Sequence, residues 1–201
     1  MKLTWTTAVL GVLLTAGLAS AQPATPASVV PDKGRPTKLT DEQPLLNFES
    51  YFTGKWNFEW DVPEGPLGPA GTIKGAVTYK KIDGNFYEGT LTATGPAGPI
   101  KMTELIAYRP EGKTISRWVT DSRGFSYLQI APVGGDLGGY YNIYYESNPF
   151  TYKGKTVRLK HALRLLSPTR FRNTVTIATD KGDFTAYGSP WFEKEMAPAG
   201  K

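Results

Sequence analysis

Reactive side chains are scarce in this sequence. Among 201 residues there is one histidine, His161, and no cysteine. Thiolate nucleophiles, thiolate zinc sites and disulfides are therefore excluded. A single imidazole also cannot build a histidine metal cluster. Acyl-transfer chemistry of the Ser-His-Asp kind would have to run through His161, yet no nucleophile-elbow pattern is present. Gly134 to Gly139 is glycine-rich but leads into a strand rather than a helix, so it is no dinucleotide cradle. With no catalytic constellation, the expectation is a protein that is not an enzyme and carries no cofactor.

The polar residues that interrupt apolar strand faces are more informative. Glu104 shares a side with Met102, Ile106 and Tyr108, and Arg117 lies between Ile115 and Val119. Gln129 follows Phe125 and Tyr127, His161 lies between Leu159 and Leu163, and Asn173 between Phe171 and Val175. If those faces turn inward, an acid, a base, two amides and an imidazole share one interior. Buried charges need partners. Glu104 and Arg117 fall on adjacent strands of one hairpin, where pairing is geometrically reasonable. Three readings stay open. The groups satisfy one another and fix the core; they orient the polar head of a ligand in an aromatic-walled pocket; or the faces are swapped and the groups meet solvent.

The elements that would position these residues are strands. In Gly54 to Trp60, the side chains Trp56, Phe58 and Trp60 alternate with Lys55, Asn57 and Glu59. That period of two marks a half-buried strand with three very large side chains on its buried side. Further alternating runs follow: Ile73 to Tyr79, Phe86 to Thr94, Ile100 to Tyr108, Thr114 to Thr120, Phe125 to Ile130, Tyr140 to Tyr145, Thr156 to Leu166, Arg170 to Thr179 and Asp183 to Phe192. The turns between them are short, as at Asp83-Gly84 and Ser167-Pro168-Thr169. The set of about ten strands predicts an all-β, up-and-down antiparallel barrel, which leaves no exposed edge. The tyrosines at 140, 141, 144 and 145 could face a carbohydrate; strand propensity and wall packing explain such a run equally simply.

Ahead of the strands, Thr40-Asp41-Glu42-Gln43 has the pattern of a capping box, and Leu45, Leu46, Phe48, Tyr51 and Phe52 follow at roughly helical spacing. A short helix is predicted over Asp41 to Phe52, entering the barrel opposite the loops Val62 to Gly71, Gly95 to Pro99 and Glu146 to Lys155. On this view the helix plugs a floor and the loops ring a mouth. Trp56 then closes the floor, and Trp60 sits nearer the mouth, where it can touch a ligand.

The chain organisation expected is a signal peptide over residues 1–21, a Pro/Ala-rich linker over 22–39, one barrel domain over 40–195 and a tail over 196–201. Lys2, the apolar Ala8 to Leu18 and the small-x-small Ala19-Ser20-Ala21 make up the leader. Its apolar run is too short for a bilayer span, which takes about 20 residues. Export to the periplasm or medium after cleavage near Ala21 is expected, with no stable membrane anchor. Without Lys2 the chain has 22 basic and 18 acidic residues, a net charge of +4. These charges are scattered, which reads as a solvated surface rather than a nucleic-acid site.

The short helix, the Gly54-Lys55-Trp56 motif opening the first strand and the antiparallel meander resemble the lipocalin and calycin group. More closely, Phe52-Thr53-Gly54-Lys55-Trp56, Ala107-Tyr108-Arg109-Pro110, Trp118-Val119-Thr120-Asp121 and Phe192-Glu193-Lys194 resemble a family of uncharacterised bacterial exported proteins with a lipocalin-like domain. The resemblance covers roughly Leu45 to Lys194. It implies a cup that holds a small hydrophobic or amphipathic molecule; the strand alternation makes Trp60, Glu104, Arg117, Tyr127, Gln129, His161 and Asn173 the candidate lumen residues. A structural or interaction domain of the cell envelope with a filled core is the alternative. A third is haem ligated axially by His161, as in haem-binding members of the calycin group.

Overall fold

The computed structural model describes residues 44–135 and 141–196. They form one short helix, α1 (Phe48–Phe52), and twelve strands: β1 (Gly54–Val62), β2 (Gly71–Asp83), β3 (Phe86–Gly95), β4 (Gly98–Arg109), β5 (Thr114–Asp121), β6 (Phe125–Gly135), β7 (Tyr141–Ser147), β8 (Phe150–Tyr152), β9 (Lys155–Ser167), β10 (Arg170–Thr179), β11 (Thr185–Ala186) and β12 (Trp191–Lys194).

Ten of these strands close on themselves. From β1 to β7 each pairs antiparallel with the next; β7 pairs β9, β9 pairs β10, β10 pairs β12, and β12 returns to β1. The short β8 and β11 are additions, on β9 and β10 respectively. The result is the up-and-down barrel that the alternation predicts. Inward positions are the apolar ones, with Trp56, Ile115, Val119, Ile143 and Val157 all fully buried.

α1 plugs one end. Phe48 and Phe52 stack at 4.4 Å, Phe48 meets Tyr87 at 4.4 Å, and Phe52 meets Tyr79 and Phe171 at 5.9 and 6.0 Å. Trp56 lies just above, donating its indole N–H to the Phe52 carbonyl at 2.8 Å. Gly54 begins this strand at φ +114°, a conformation that an L side chain rarely adopts. Lys194, at the far end of the last strand, donates to the Ser50 carbonyl and sits over the Trp56 ring. The Gly-x-Trp motif is thus the joint between floor helix, first strand and last strand.

Three local expectations change. The helix is shorter than Asp41 to Phe52. Thr40 and Gln43 lie outside the described residues, and Pro44 to Asn47 is not helical. Asn47 is the cap, its side-chain oxygen accepting from the Ser50 N–H at 3.0 Å. Leu46 instead enters the core. Second, the run Asp183 to Phe192 is not one strand. Pro190 has no N–H, and Gly188, at φ +107°, packs directly against the Trp60 indole, so the chain bends between β11 and β12. Third, Glu146 to Lys155 is not all loop. Lys153 and Gly154, at φ +47° and +76°, turn β8 back onto β9 and place Phe150 inside the barrel end.

Candidate functional site

The interior of the barrel is nearly filled, with a cavity of about 70 Å3 at its centre. Two unlike walls enclose it. β1, β2, β3 and β12 contribute apolar side chains, among them Phe58, Trp60, Ile73, Leu91 and Phe192. The opposite wall carries the polar groups, Glu104 from β4, Arg117 from β5, Tyr127 from β6, His161 from β9 and Asn173 from β10, set among Met102, Leu163 and Phe171. The readings that place these groups inward hold, and the swapped-face reading fails, because Glu104, Arg117, Tyr127, Gln129 and His161 are all buried. Gln129 does not reach the cavity. It lies behind Arg117 and accepts from its Nε–H at 2.7 Å.

Arg117 holds the polar wall together. Its Nη1 lies 3.6 Å from Glu104 Oε2, and its guanidinium stacks over the Tyr145 ring at 4.4 Å. Burial is the largest influence and works against its charge, but the Glu104 carboxylate together with the phenols of Tyr145, Tyr127 and Tyr79 outweighs it, and Arg117 keeps its proton more firmly than usual. At 3.6 Å the pair attracts without forming a hydrogen bond. Burial pushes the phenols of Tyr127 and Tyr145 up, so both stay neutral donors. His161 goes the other way: burial first, and then the charge of Arg117, hold it well below the usual histidine range. The ring is neutral.

Its tautomer follows from one contact. The Asn173 side-chain N–H group lies 3.2 Å from His161 Nδ1. An amide nitrogen only donates, so Nδ1 accepts, and the ring proton resides on Nε2. Three buried atoms of this wall then have no hydrogen-bond partner within the protein: Glu104 Oε2, His161 Nε2 and Asn173 Oδ1. Orphaned buried polar atoms are costly and call for a partner.

A second chamber of about 260 Å3 lies under the mouth loops, lined by Leu67, Pro69, Pro96, Tyr152 and Tyr187. Ile73, Ile100 and Arg123 line both chambers and form the partition between them. Gly68-Pro69-Ala70-Gly71 and Gly95-Pro96-Ala97-Gly98, which repeat one tetrapeptide, both fall at the mouth, where they act as turns. Arg123 is clipped in place. Its Nε and Nη2 bind the two carboxylate oxygens of the buried Asp121 at 2.9 and 2.7 Å, and its Nη1 donates to the Leu67 carbonyl at 3.1 Å. Trp60 completes the mouth, donating its indole N–H to the Tyr187 carbonyl at 2.8 Å.

Asp121 and Arg123 were not legible as site residues, because Asp-Ser-Arg-Gly reads as a turn. Only Asp121 left a trace: it continues the inward alternation Ile115, Arg117, Val119.

The residues present do not fit a haem. The lumen is several-fold smaller than the roughly 300–1,000 Å3 of pockets for larger ligands. Among the described residues, no group of three or more His, Asp or Glu could hold a metal ion.

No family model matches this chain, and no curated protein matches its sequence. Its fold does match solved structures. The crystal structure of Rv2717c from M. tuberculosis superposes with a TM-score of 0.61 at 11% identity, covering 76% of this chain and 100% of that one. Weaker likenesses are the S-type phycobiliprotein lyase CPES from Guillardia theta (TM-score 0.49, 10% identity, 76% and 92% coverage) and a de novo designed fluorescence-activating β-barrel (TM-score 0.42, 15% identity, 75% and 100% coverage). At such identities the likeness concerns architecture alone. The chain has a calycin-type, lipocalin-like β-barrel fold.

Proposed function

We propose that this chain is an exported, non-catalytic lipocalin-like protein that holds one small, partly apolar molecule in its barrel. The observation that carries this reading is that Glu104 Oε2, which is ion-paired to Arg117 but not hydrogen-bonded, and His161 Nε2 and Asn173 Oδ1, which also lack a hydrogen-bond partner in the protein, belong to residues lining a single internal cavity. A core built only to be solid would use apolar side chains there at lower cost. The mouth chamber supplies room for the apolar part of the molecule. Lys2, Ala8 to Leu18 and Ala19-Ser20-Ala21 support export, as does the resemblance to bacterial exported proteins. A mature periplasmic protein starting at Gln22 is the expected result of N-terminal sequencing.

Ligand binding is tested by native mass spectrometry of the protein from its host and by thermal shift against a library of small amphipathic metabolites. A co-purified adduct, or a rise in melting temperature with a compound class, supports the reading. A bare mass together with no shift across the library overturns it. The result would then favour an envelope domain with a filled core, the reading that the modest 70 Å3 lumen favours.

A further inference from the structure

We infer that the head group taken by this lumen is uncharged and of the primary carboxamide type, with its carbonyl facing His161 Nε2–H and its N–H groups facing Glu104 Oε2 and Asn173 Oδ1. The inference rests on the ligand-binding reading above and adds the chemical class.

Charge is the first argument. Glu104 and Arg117 are both buried on adjacent strands of one wall and lie 3.6 Å apart, so they neutralise each other. The other ionic pair at the partition, Asp121 with Arg123, is closed by two hydrogen bonds of 2.9 and 2.7 Å. His161 is neutral. An anionic head would face the Glu104 carboxylate, and a cationic one the Arg117 guanidinium. Either would leave one buried charge in excess, which a site of low dielectric penalises heavily.

Hydrogen-bond polarity is the second. Of the five buried atoms without a hydrogen-bond partner, the Tyr108 hydroxyl and Gln129 Nε2 belong to residues outside the lining; the three on lining residues are one donor, His161 Nε2–H, and two acceptors, Glu104 Oε2 and Asn173 Oδ1. A carboxamide carries the complementary set, one strong acceptor and two donor hydrogens on an adjacent nitrogen. A hydroxyl supplies only one donor, and an ester or ketone none. Size is the third argument. A cavity of 70 Å3 accommodates a head of a few heavy atoms, and an alkyl tail would reach the neighbouring 260 Å3 chamber by displacing the partition side chains Ile73, Ile100 and Arg123.

Three probes of one length separate the possibilities: hexanamide, hexanoate and hexylammonium, titrated into the isotope-labelled protein by NMR with the His161 ring resonances as reporter. On the wild type, hexanamide should bind at least tenfold more tightly than either ion. Glu104→Gln removes the negative partner and should shift preference tenfold or more toward hexanoate. Asn173→Asp adds a negative charge and should shift it toward hexylammonium. Amide dispersion checks that each variant folds; if one does not, the wild-type ranking alone decides. Equal or tighter binding of an ion to the wild type, with the His161 signals moving, overturns the carboxamide class while leaving a ligand-binding barrel. Hexanamide binding that leaves the His161 signals in place also overturns it. Silence from all three probes overturns both the class and the binding reading beneath it.

Discussion

At the floor of the barrel, α1 drives Phe48 and Phe52 into an aromatic cluster with Tyr87, Tyr108 and Tyr79, and the fully buried Trp56 seals it from above. At the mouth, closure instead depends on a side chain, Arg123, clipped to Asp121 and to one loop carbonyl, with a 260 Å3 chamber outside it. The floor could open only by exposing several aromatic rings at once, each of which resists through its buried area. The mouth is held by fewer and more polar contacts, with Arg123 21% exposed and fixed by Asp121 and the Leu67 carbonyl beside Ile73 and Ile100. The two ends of one barrel thus differ in what holds them, aromatic packing at the floor and a charged clip at the mouth.

The sharpest way to break this comparison is at the floor. Trp56→Ala should destabilise by ~3–5 kcal/mol in chemical denaturation, through lost burial and the cavity left behind. A cost near zero would mean that the floor is not the stable end. At the mouth, Asp121→Asn leaves Arg123 partly buried without its counter-charge and should cost ~3 kcal/mol, less than the floor. It should also speed hydrogen exchange in the loops around Leu67 and Tyr187 while leaving α1 unchanged. Loss of protection at both ends together would show that they are one cooperative unit.

The pH dependence of stability probes the wall between them. Because His161 titrates well below the ordinary value of 6.5 in the fold, the unfolded chain binds its proton first. The stability that its neutral form contributes is present above about pH 6.5 and is lost as the pH falls, by up to about 1.4 kcal/mol per pH unit. His161→Gln should flatten this slope in melts between about pH 7.5 and 5.5, where one ionisation is at stake. A slope unchanged by the substitution would place the acid sensitivity elsewhere. The smallest stability effect is expected for Trp60→Ala. Trp60 is only half-buried at the mouth, so the change should alter ligand binding more than the melting temperature. If Trp56→Ala and Trp60→Ala behave alike, the distinction between floor and mouth fails.

Much of this was legible residue by residue. Glu104, Arg117, Tyr127, His161 and Asn173 announce themselves as inward members of alternating strands, because period two fixes which face each side chain takes. Trp60 follows from Trp56 and Phe58 in the same way. Gln129 shares the pattern yet stops short of the cavity, since Arg117 stands between. The Arg123 clip carried no periodic mark: its side chain leaves a turn, where no alternation constrains direction. The helix start was misplaced for a related reason. Two capping patterns compete at Thr40 and Asn47, and burial of Leu46 is compatible with the second.

The sequence alone determined the strand-by-strand alternation, the absence of thiol and histidine-cluster chemistry, and an antiparallel meander of about ten strands, because each follows from local spacing or composition. Tertiary structure alone decided that Glu104 and His161, on β4 and β9, face one cavity with Asn173, that this cavity is about 70 Å3 and that its mouth is latched. Closure of the barrel sets these distances, and closure depends on all ten strands at once.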